Sequence, residues 1–421
     1  SLVSGLAITA YANELLQWES TTTTNLGIDA ALLNNRLTVG IDIYHKMTSG
    51  ILYRPAMEYV LGYHNNSDGV NVKAPRQNIA EVSNDGFELS LGWRDRIGKV
   101  EYSVSGNFSY NKNKVDKYNG EYTRTWVEDP TNTLTGGKWT DNIGKASSGG
   151  NSPVVEGHML NEYRYRSVYK GNGKYFNADG SVNPAGGPKG GMIRTEEDMN
   201  WVKAMMDAGY KFKPGNSIGK ANIYYGDYIY ADVNGDGVYG DSDDEEFQGR
   251  SKTPKYNFGF QASAAWNGFD ISMVWAGAAG FDIYWGPTAG YNAAKTEWGN
   301  NIAQRIADDH YFYDPSNPDD PRTNINGKYP RMTYLDGNVQ NNASSNRWLY
   351  NGDYIKLKNL SLGYTLPQKW VTKVAMQNAR IYVSAENLLT ITSFEGQDPE
   401  SATGMGYSPF RSIAIGANIT F

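Results

Sequence analysis

The residues best suited to chemistry lie in one short run, Asp232-Val233-Asn234-Gly235-Asp236-Gly237-Val238, followed by Asp243. Side-chain oxygens at positions 1, 3 and 5, glycine at 6, a backbone carbonyl at 7 and a carboxylate at 12 match the spacing with which a loop wraps calcium. A hard divalent cation takes several oxygens, and Gly237 supplies the sharp turn that lets the backbone wrap. The expected ligands are Asp232, Asn234, Asp236, the carbonyl of Val238 and Asp243, holding a Ca2+ ion that is structural rather than catalytic. Asp stands at position 12 where an EF-hand has Glu, which weakens bidentate capture and favours a looser affinity of the extracellular kind. An Asp/Asn/Gly-rich turn without an ion is the competing reading of the same residues.

Other chemistries find little support. The four histidines, His45, His64, His158 and His310, are scattered with no second ligand at metal spacing. Gly144-Lys145-Ala146-Ser147 imitates the end of a phosphate loop, but Trp139 stands where its first glycine belongs. Carboxylates are spread without a pair to which acid and base roles can be given. With no cysteine in 421 residues, a disulfide scaffold, a thiolate metal site and a cysteine nucleophile are all excluded. An enzyme is the weakest of the readings.

Aromatic residues crowd the irregular stretches, among them Trp126, Trp139, Tyr284, Trp285, Tyr291, Trp298, Tyr311, Phe312 and Tyr313. Trp126, Trp139, Trp285, Trp298 and Tyr311 are the candidates for substrate contact, since rings among Asn, Asp and Gly stack on sugar faces or peptide side chains. The same rings also serve to pack long loops together, and long ordered loops need small cores of their own.

The elements that position these residues are strands. In residues 25–33 one parity carries Leu26, Ile28, Ala30 and Leu32. After the Asn34-Asn35 turn, Leu37, Val39, Ile41 and Ile43 face one way, with Thr38, Gly40, Asp42 and Tyr44 facing the other. The unit returns at Phe87, Leu89, Leu91 and Trp93, turns near residues 95–98, and climbs through Val100, Tyr102, Val104, Phe108 and Tyr110. It returns again at Tyr256 to Trp266, turns at Asn267-Gly268, a strong hairpin signal, and continues through Phe269, Ile271, Met273 and Trp275. Residues 3–10, 353–366, 380–392 and 410–421 complete about ten strands. The opposite faces are small and polar: Asp29, Asp42, Glu88, Glu101 and Gln261 stand on them. Turns at one end are short, whereas connections at the other run to tens of residues, and aromatics gather near the strand ends. Together these describe an all-β, antiparallel transmembrane barrel with long extracellular loops. Within residues 116–254 no spanning pair is clear, although strands near residues 163–169 and 223–230 remain open. Thr195 opens a short helix there, with Asp198 as its capping-box partner and Met199, Val202, Met205 and Met206 on one face.

Composition agrees. There are 45 acidic and 39 basic residues, a net charge of -6, which suits neither a nucleic-acid binder nor a disordered acidic tail. No run reaches eighteen apolar residues, so no helix of this chain spans a membrane. The sequence opens at Ser1 without a signal segment, as expected of a piece of a longer precursor.

Several blocks resemble the SusC/RagA-like TonB-dependent transporters. They are Leu16-Gln17-Trp18-Glu19 leading into Asn25-Leu26-Gly27-Ile28-Asp29 and Asn34-Asn35-Arg36-Leu37, then the 232–243 loop, then Gly352-Asp353-Tyr354-Ile355-Lys356-Leu357 continuing to Pro367, and finally Ala385-Glu386-Asn387-Leu388-Leu389 with Gly396-Gln397-Asp398-Pro399-Glu400. They span nearly the whole chain in family order. The resemblance implies the C-terminal strands of a 22-stranded barrel in the outer membrane of a Gram-negative bacterium of the Bacteroides kind. It further implies a plug domain absent from this chain, a SusD-like lipoprotein partner, and uptake of oligosaccharides or peptides energised by the TonB complex through the missing N-terminal part. The chain would complete its barrel with the remainder of the same protein and would bind no nucleic acid. Phe421, ending a strand of alternating Ile413, Ile415, Ala417 and Ile419, resembles the insertion signal of outer-membrane barrels. The alternative is a secreted or surface β-rich module for glycan binding or adhesion.

Overall fold

The computed structural model describes residues 12–53, 75–118, 120–142, 153–286, 302–332, 339–401 and 409–421. Nine long strands form one antiparallel sheet: β1 (Ser20–Leu32), β2 (Leu37–Tyr53), β3 (Gln77–Ile97), β4 (Val100–Lys117), β11 (Tyr256–Trp266), β12 (Phe269–Ala279), β15 (Tyr354–Thr365), β16 (Asn378–Thr392) and β17 (Ser412–Thr420), side by side in that order. Eight short strands lie in the connections. They are β5 (Arg124–Glu128), β6 (Gly137–Asp141), β7 (Glu162–Arg166), β8 (Lys211–Phe212), β9 (Val238–Tyr239), β10 (Glu245–Ser251), β13 (Asp282–Tyr284) and β14 (Leu349–Asn351). All nine long strands were expected from alternation; residues 3–10, the tenth, fall outside the described residues.

Register turns the alternation into two faces. Leu32, Leu37, Trp93, Val104, Ala262, Met273, Leu360, Ala385 and Ile413 are successive cross-strand partners, one from each strand. One residue along, on the other face, run Ala31, Thr38, Gly92, Ser105, Gln261, Val274, Asn359, Glu386 and Ser412. Direct partners share a face, so each row is a continuous band across the sheet. The apolar band is flanked by rings. Phe87, Phe108, Tyr110 and Tyr256 form a cluster toward the long connections, while Phe269 and Tyr364 touch at 4.5 Å beside Trp266 toward the short turns.

Loop residues fold onto the polar face: Val154 and Leu160 pack on Val82 and Val115, and Asp398 reaches Lys356. The apolar face is left bare, with Ile28, Ile43, Ile413 and Ile415 exposed. A belt of this extent is unsuited to water and suited to lipid.

The connections divide by end. At one end three turns are tight, but the connection between β15 and β16, residues 366–377, is longer than expected and carries the helical turns Gln368–Val371 and Thr372–Val374. Asn267 and Gly268 both adopt positive φ, 47° and 89°, the mirror-image turn that matches the twist of paired strands. At the other end lie the long segments between β4 and β11 and between β12 and β15, which fold into small bodies. The helix Glu196–Asp207 has the expected capping box between Thr195 and Asp198 and buries Met199, Trp201, Val202 and Met205 against Ile193, Ile223 and Ile229. Neither open strand candidate in this region joins the large sheet. Residues 163–169 overlap β7, which pairs with β10 and makes an isolated bridge from Arg166 to Ser345, and residues 223–230 contribute isolated bridges. A buried ion pair, Arg331 Nε to Asp227 at 2.7 Å, with Asn341 donating to the same carboxylate at 2.8 Å, joins the two long connections.

Candidate functional site

Residues 232–238 curl around the carboxylate of Asp232, which accepts from the N–H groups of Gly235 at 2.7 Å, Asp236 at 3.1 Å and Gly237 at 2.8 Å. Asn234 accepts from Asp236 N–H at 2.9 Å and Asp236 from Val238 N–H at 2.8 Å. Gly237 has φ of 84°, and a Cβ there would meet the Leu134 side chain at 2.7 Å, so glycine is required twice over. The curl follows the spacing of positions 1 to 5 of a calcium loop, with Asp232 Oδ2 and Asp236 Oδ1 each taking a single backbone N–H while Asp232 Oδ1 takes two.

The closing position differs. Asp243 turns outward, its carboxylate 3.1 Å from Lys138 Nζ. The acid that turns inward is its neighbour, Asp244, fully buried and accepting from Val233, Asn234, Gly240 and Asp241 N–H groups at 2.7 to 3.3 Å. Among the described residues, no three His, Cys, Asp or Glu side chains converge as a metal cluster. Asp232, Asn234 and Asp236 thus share the curl of the loop, while Asp243 at the closing position points away from it. Burial pushes the carboxyls of Asp232 and Asp241 up, and that of Asp244 up to about 7, with neighbouring acids adding to each. The Asp243 carboxylate raises Lys138 in turn. Asp244 went unremarked in the sequence because the loop spacing ends at residue 243.

The β5–β6 hairpin sits on this loop. Arg124 donates to the Val233 carbonyl at 2.5 Å, Trp139 N–H to Asn234 O at 2.7 Å, and Asn132 to Asp236 O at 2.8 Å. Trp126 and Trp139, cross-strand partners with ring centroids 5.5 Å apart, remain half exposed.

The other candidate aromatics separate by burial. Trp285 packs among Tyr350 and Phe394 with the Arg305 guanidinium 3.8 Å from its centroid, and Tyr311 is buried with its hydroxyl on Arg194 O at 2.8 Å. Trp285 is a loop-core residue, whereas Tyr311, although almost wholly buried, contributes to the lining of the cleft described below. Trp298, Tyr291, His64 and residues 144–147 lie outside the described residues. The remaining histidines stay apart: His45 meets Asp85 at 2.6 Å, His158 meets Glu162 at 3.2 Å, and His310 holds the Ala307 carbonyl at 2.8 Å. Gly215-Asn216-Ser217-Ile218-Gly219 carries the letters of a hydrolase elbow, but it lies in irregular chain beyond β8 and Ser217 Oγ accepts from Asn222.

A cleft of about 880 Å3 opens between the two long connections, lined by Lys220, Tyr224, Tyr225, Tyr313, Arg322 and Asn324 among others. At the short-turn end, Phe421 follows β17 on the same face as Ile413, Ile415 and Ile419. Thr420 O accepts from Gln377 N–H at 2.7 Å, so pairing with the neighbouring strand runs almost to the last residue.

A lipid-suited outer face, a polar inner face and loops built up at one end define an outer-membrane β-barrel. Residues 3–194 match the family model "TonB dependent receptor-like, beta-barrel". The chain is 27% identical over its whole length to TonB-dependent receptor P3 of Formosa agariphila, covering 36% of that protein. It is 24% identical over 97% of its length to the TonB-dependent receptor SusC of Bacteroides thetaiotaomicron, covering 32% of it. The structure of the RagAB peptide transporter superposes on 96% of this chain with a TM-score of 0.59 at 20% identity, covering 36% of the transporter chain. The chain is similar to TonB-dependent receptor-like β-barrels, SusC/RagA-like transporters among them, and is a protein of the Gram-negative outer membrane. It spans about a third of the length of the curated relatives it matches.

Proposed function

We propose that the chain is the C-terminal portion of the barrel of an importer that takes up oligosaccharides or peptides together with a SusD-like lipoprotein, driven by the TonB complex. The observation carrying this reading is the register. Apolar partners run across nine strands while mostly polar partners line the other face, and the two longest connections, between β4 and β11 and between β12 and β15, emerge at one end. Such a wall separates lipid from a wet lumen, and loops grouped at its mouth are placed to meet cargo and lid. The test is uptake of labelled oligosaccharides and peptides by cells with the intact gene, with the gene deleted, and with TonB deleted. Import lost in both deletions supports the reading, and import unchanged in both removes it.

We also propose that the 232–243 loop binds one calcium ion, through Asp232, Asn234, Asp236 and the Val238 carbonyl. The spacing and the curl of the first seven residues support this, as does the crowding of the Asp232, Asp241 and Asp244 carboxyls, which a divalent cation would relieve. Calorimetric titration of the intact transporter should show one site fewer in Asp236→Ala; unchanged stoichiometry ends the idea. Lys138→Ala should tighten the site if Asp243 swings in as closing ligand, and leave it unaltered if Asp244 serves instead.

A further inference from the structure

We infer that the cleft between the two long connections holds the cargo, and that it selects a neutral oligosaccharide over a peptide or an acidic sugar. This rests on the importer reading above and narrows it. The cleft, about 880 Å3, falls in the size range of small-ligand sites. Its walls come from both connections, which the Asp227–Arg331 pair locks together, so the cavity is built by two segments that share no strand.

Ring geometry is the first of three selective features. Tyr224 and Tyr225 stand at 82° with centroids 5.5 Å apart, and Tyr225 and Tyr313 at 73° and 5.3 Å. The Arg331 guanidinium lies over Tyr224 at 5.5 Å, whereas the edge-on arrangement leaves ring face on Tyr225 and Tyr313 unstacked, and among the described residues the three phenol oxygens have no hydrogen-bond partner. A pyranose matches such a surface, since its C–H face lies on a ring and its rim hydroxyls both donate to and accept from phenols.

Charge is the second. Arg331 is committed to Asp227 at 2.7 Å and Arg322 to Asp320 at 2.7 Å, and the carboxylates of Asp308 and Asp314 stand on the lining beside Lys220. A uronate, a sulfate ester or a peptide carboxylate would have to draw an arginine from its carboxylate or lie close to Asp308 and Asp314, and like charges brought together repel. A neutral ligand leaves the ion pairs intact.

The backbone is the third. Extended peptides are captured by open strand edges, through main-chain hydrogen bonds. Here the wall has spent those groups on itself: Tyr311 N–H donates to Tyr329 O at 2.9 Å, Phe312 N–H to Asn324 O at 3.1 Å, Asn324 N–H to Phe312 O at 2.8 Å and Arg331 N–H to Gly226 O at 3.1 Å.

The test uses the intact transporter purified in detergent, with heat-modifiable migration confirming each variant's barrel. Three probe sets are titrated by calorimetry: neutral hexasaccharides, uronic-acid hexamers and a pentapeptide library. A neutral hexasaccharide should bind, and Tyr225→Ala and Tyr313→Ala should each weaken it at least tenfold, with Tyr225→Phe intermediate. Saturable binding of peptides or uronates that Tyr225→Ala abolishes would overturn the ligand class. No binding by any neutral probe, or equal binding by the Tyr225→Ala/Tyr313→Ala double variant, would overturn the site. TonB-dependent uptake measured in the same strains separates the two readings: if uptake persists in the double variant, the importer stands and the cleft does not.

Discussion

At the scale of single residues, the acidic loop concentrates the unusual electrostatics. Asp244 is buried beside Asp241 and Asp232, and its carboxyl is raised from 3.8 to about 7. The folded loop therefore takes up a proton that the unfolded chain releases near its ordinary value, and the sign follows from linkage. The stabilisation is fully present below the ordinary carboxylate range, is lost as pH rises through about 7, and changes no further above that. In calcium-free buffer, amide exchange of residues 233–241, corrected for intrinsic rates, should quicken as pH is raised from 5 to 8. Asp244→Asn keeps the shape and removes the titration, so its exchange should be nearly flat across that range. A wild-type loop that tightens with rising pH would show that the backbone N–H bonds to Asp244 outweigh its burial. Asp243, the residue that spacing selects, is by contrast half of an exposed pair with Lys138, and such pairs contribute little. Spacing along the chain identified the loop but not which of two adjacent acids faces inward, because a single turn at Gly240 with φ of 81° settles that orientation.

At the scale of elements, the two faces of β2 make a direct comparison. Ile41 lies between Ile28 and Leu89 on the bare apolar face, whereas Thr38 lies between Ala31 and Gly92 on the polar one. Ile41→Arg should destabilise the folded barrel by about 2 to 4 kcal/mol, the cost of a cation near the middle of the lipid band, while Thr38→Arg should cost less. Reversible urea unfolding of the intact barrel in vesicles measures both, and the reverse order would mean that the faces are assigned backwards. This much was legible in the sequence, because period two survives in every long strand and Asn267-Gly268 can form only a tight turn. The small strands were only partly legible. Residues 162–166 and 245–251 pair with each other across about eighty residues of chain; EYRYR alternates and overlaps an open strand candidate, but EEFQGRS carries no alternation to announce it as the partner. The aromatic candidates divided for a similar reason. Trp126 and Trp139 sit on an isolated hairpin with one side open, whereas Trp285 and Tyr311 were drawn into loop cores by Arg305, Phe394 and Arg194, partners distant in sequence.

At the scale of the whole molecule, the sheet has two edges, β1 and β17, and neither is paired with a further strand among the described residues. In lipid an open edge leaves a row of N–H and C=O groups unsatisfied, so both edges must find strands of the same barrel before the wall is stable. The order in which they do so bears on Phe421. β17 is apolar on its outer row through Ile413, Ile415 and Ile419, and Phe421 extends that row at the short-turn end, 74% exposed. An exposed ring in that position contributes little to the packing of the sheet itself, which is why we propose that it serves assembly, as a signal by which the barrel machinery recognises this strand. A structural role and an assembly role predict different outcomes. Deleting Phe421, or adding charged residues after it, should lower the amount of heat-modifiable barrel in the outer membrane while synthesis is unchanged, and the barrels that do assemble should unfold at the wild-type urea concentration. Normal abundance after the deletion would remove the signal. Normal abundance with a lowered unfolding midpoint would instead make Phe421 a packing residue of the girdle.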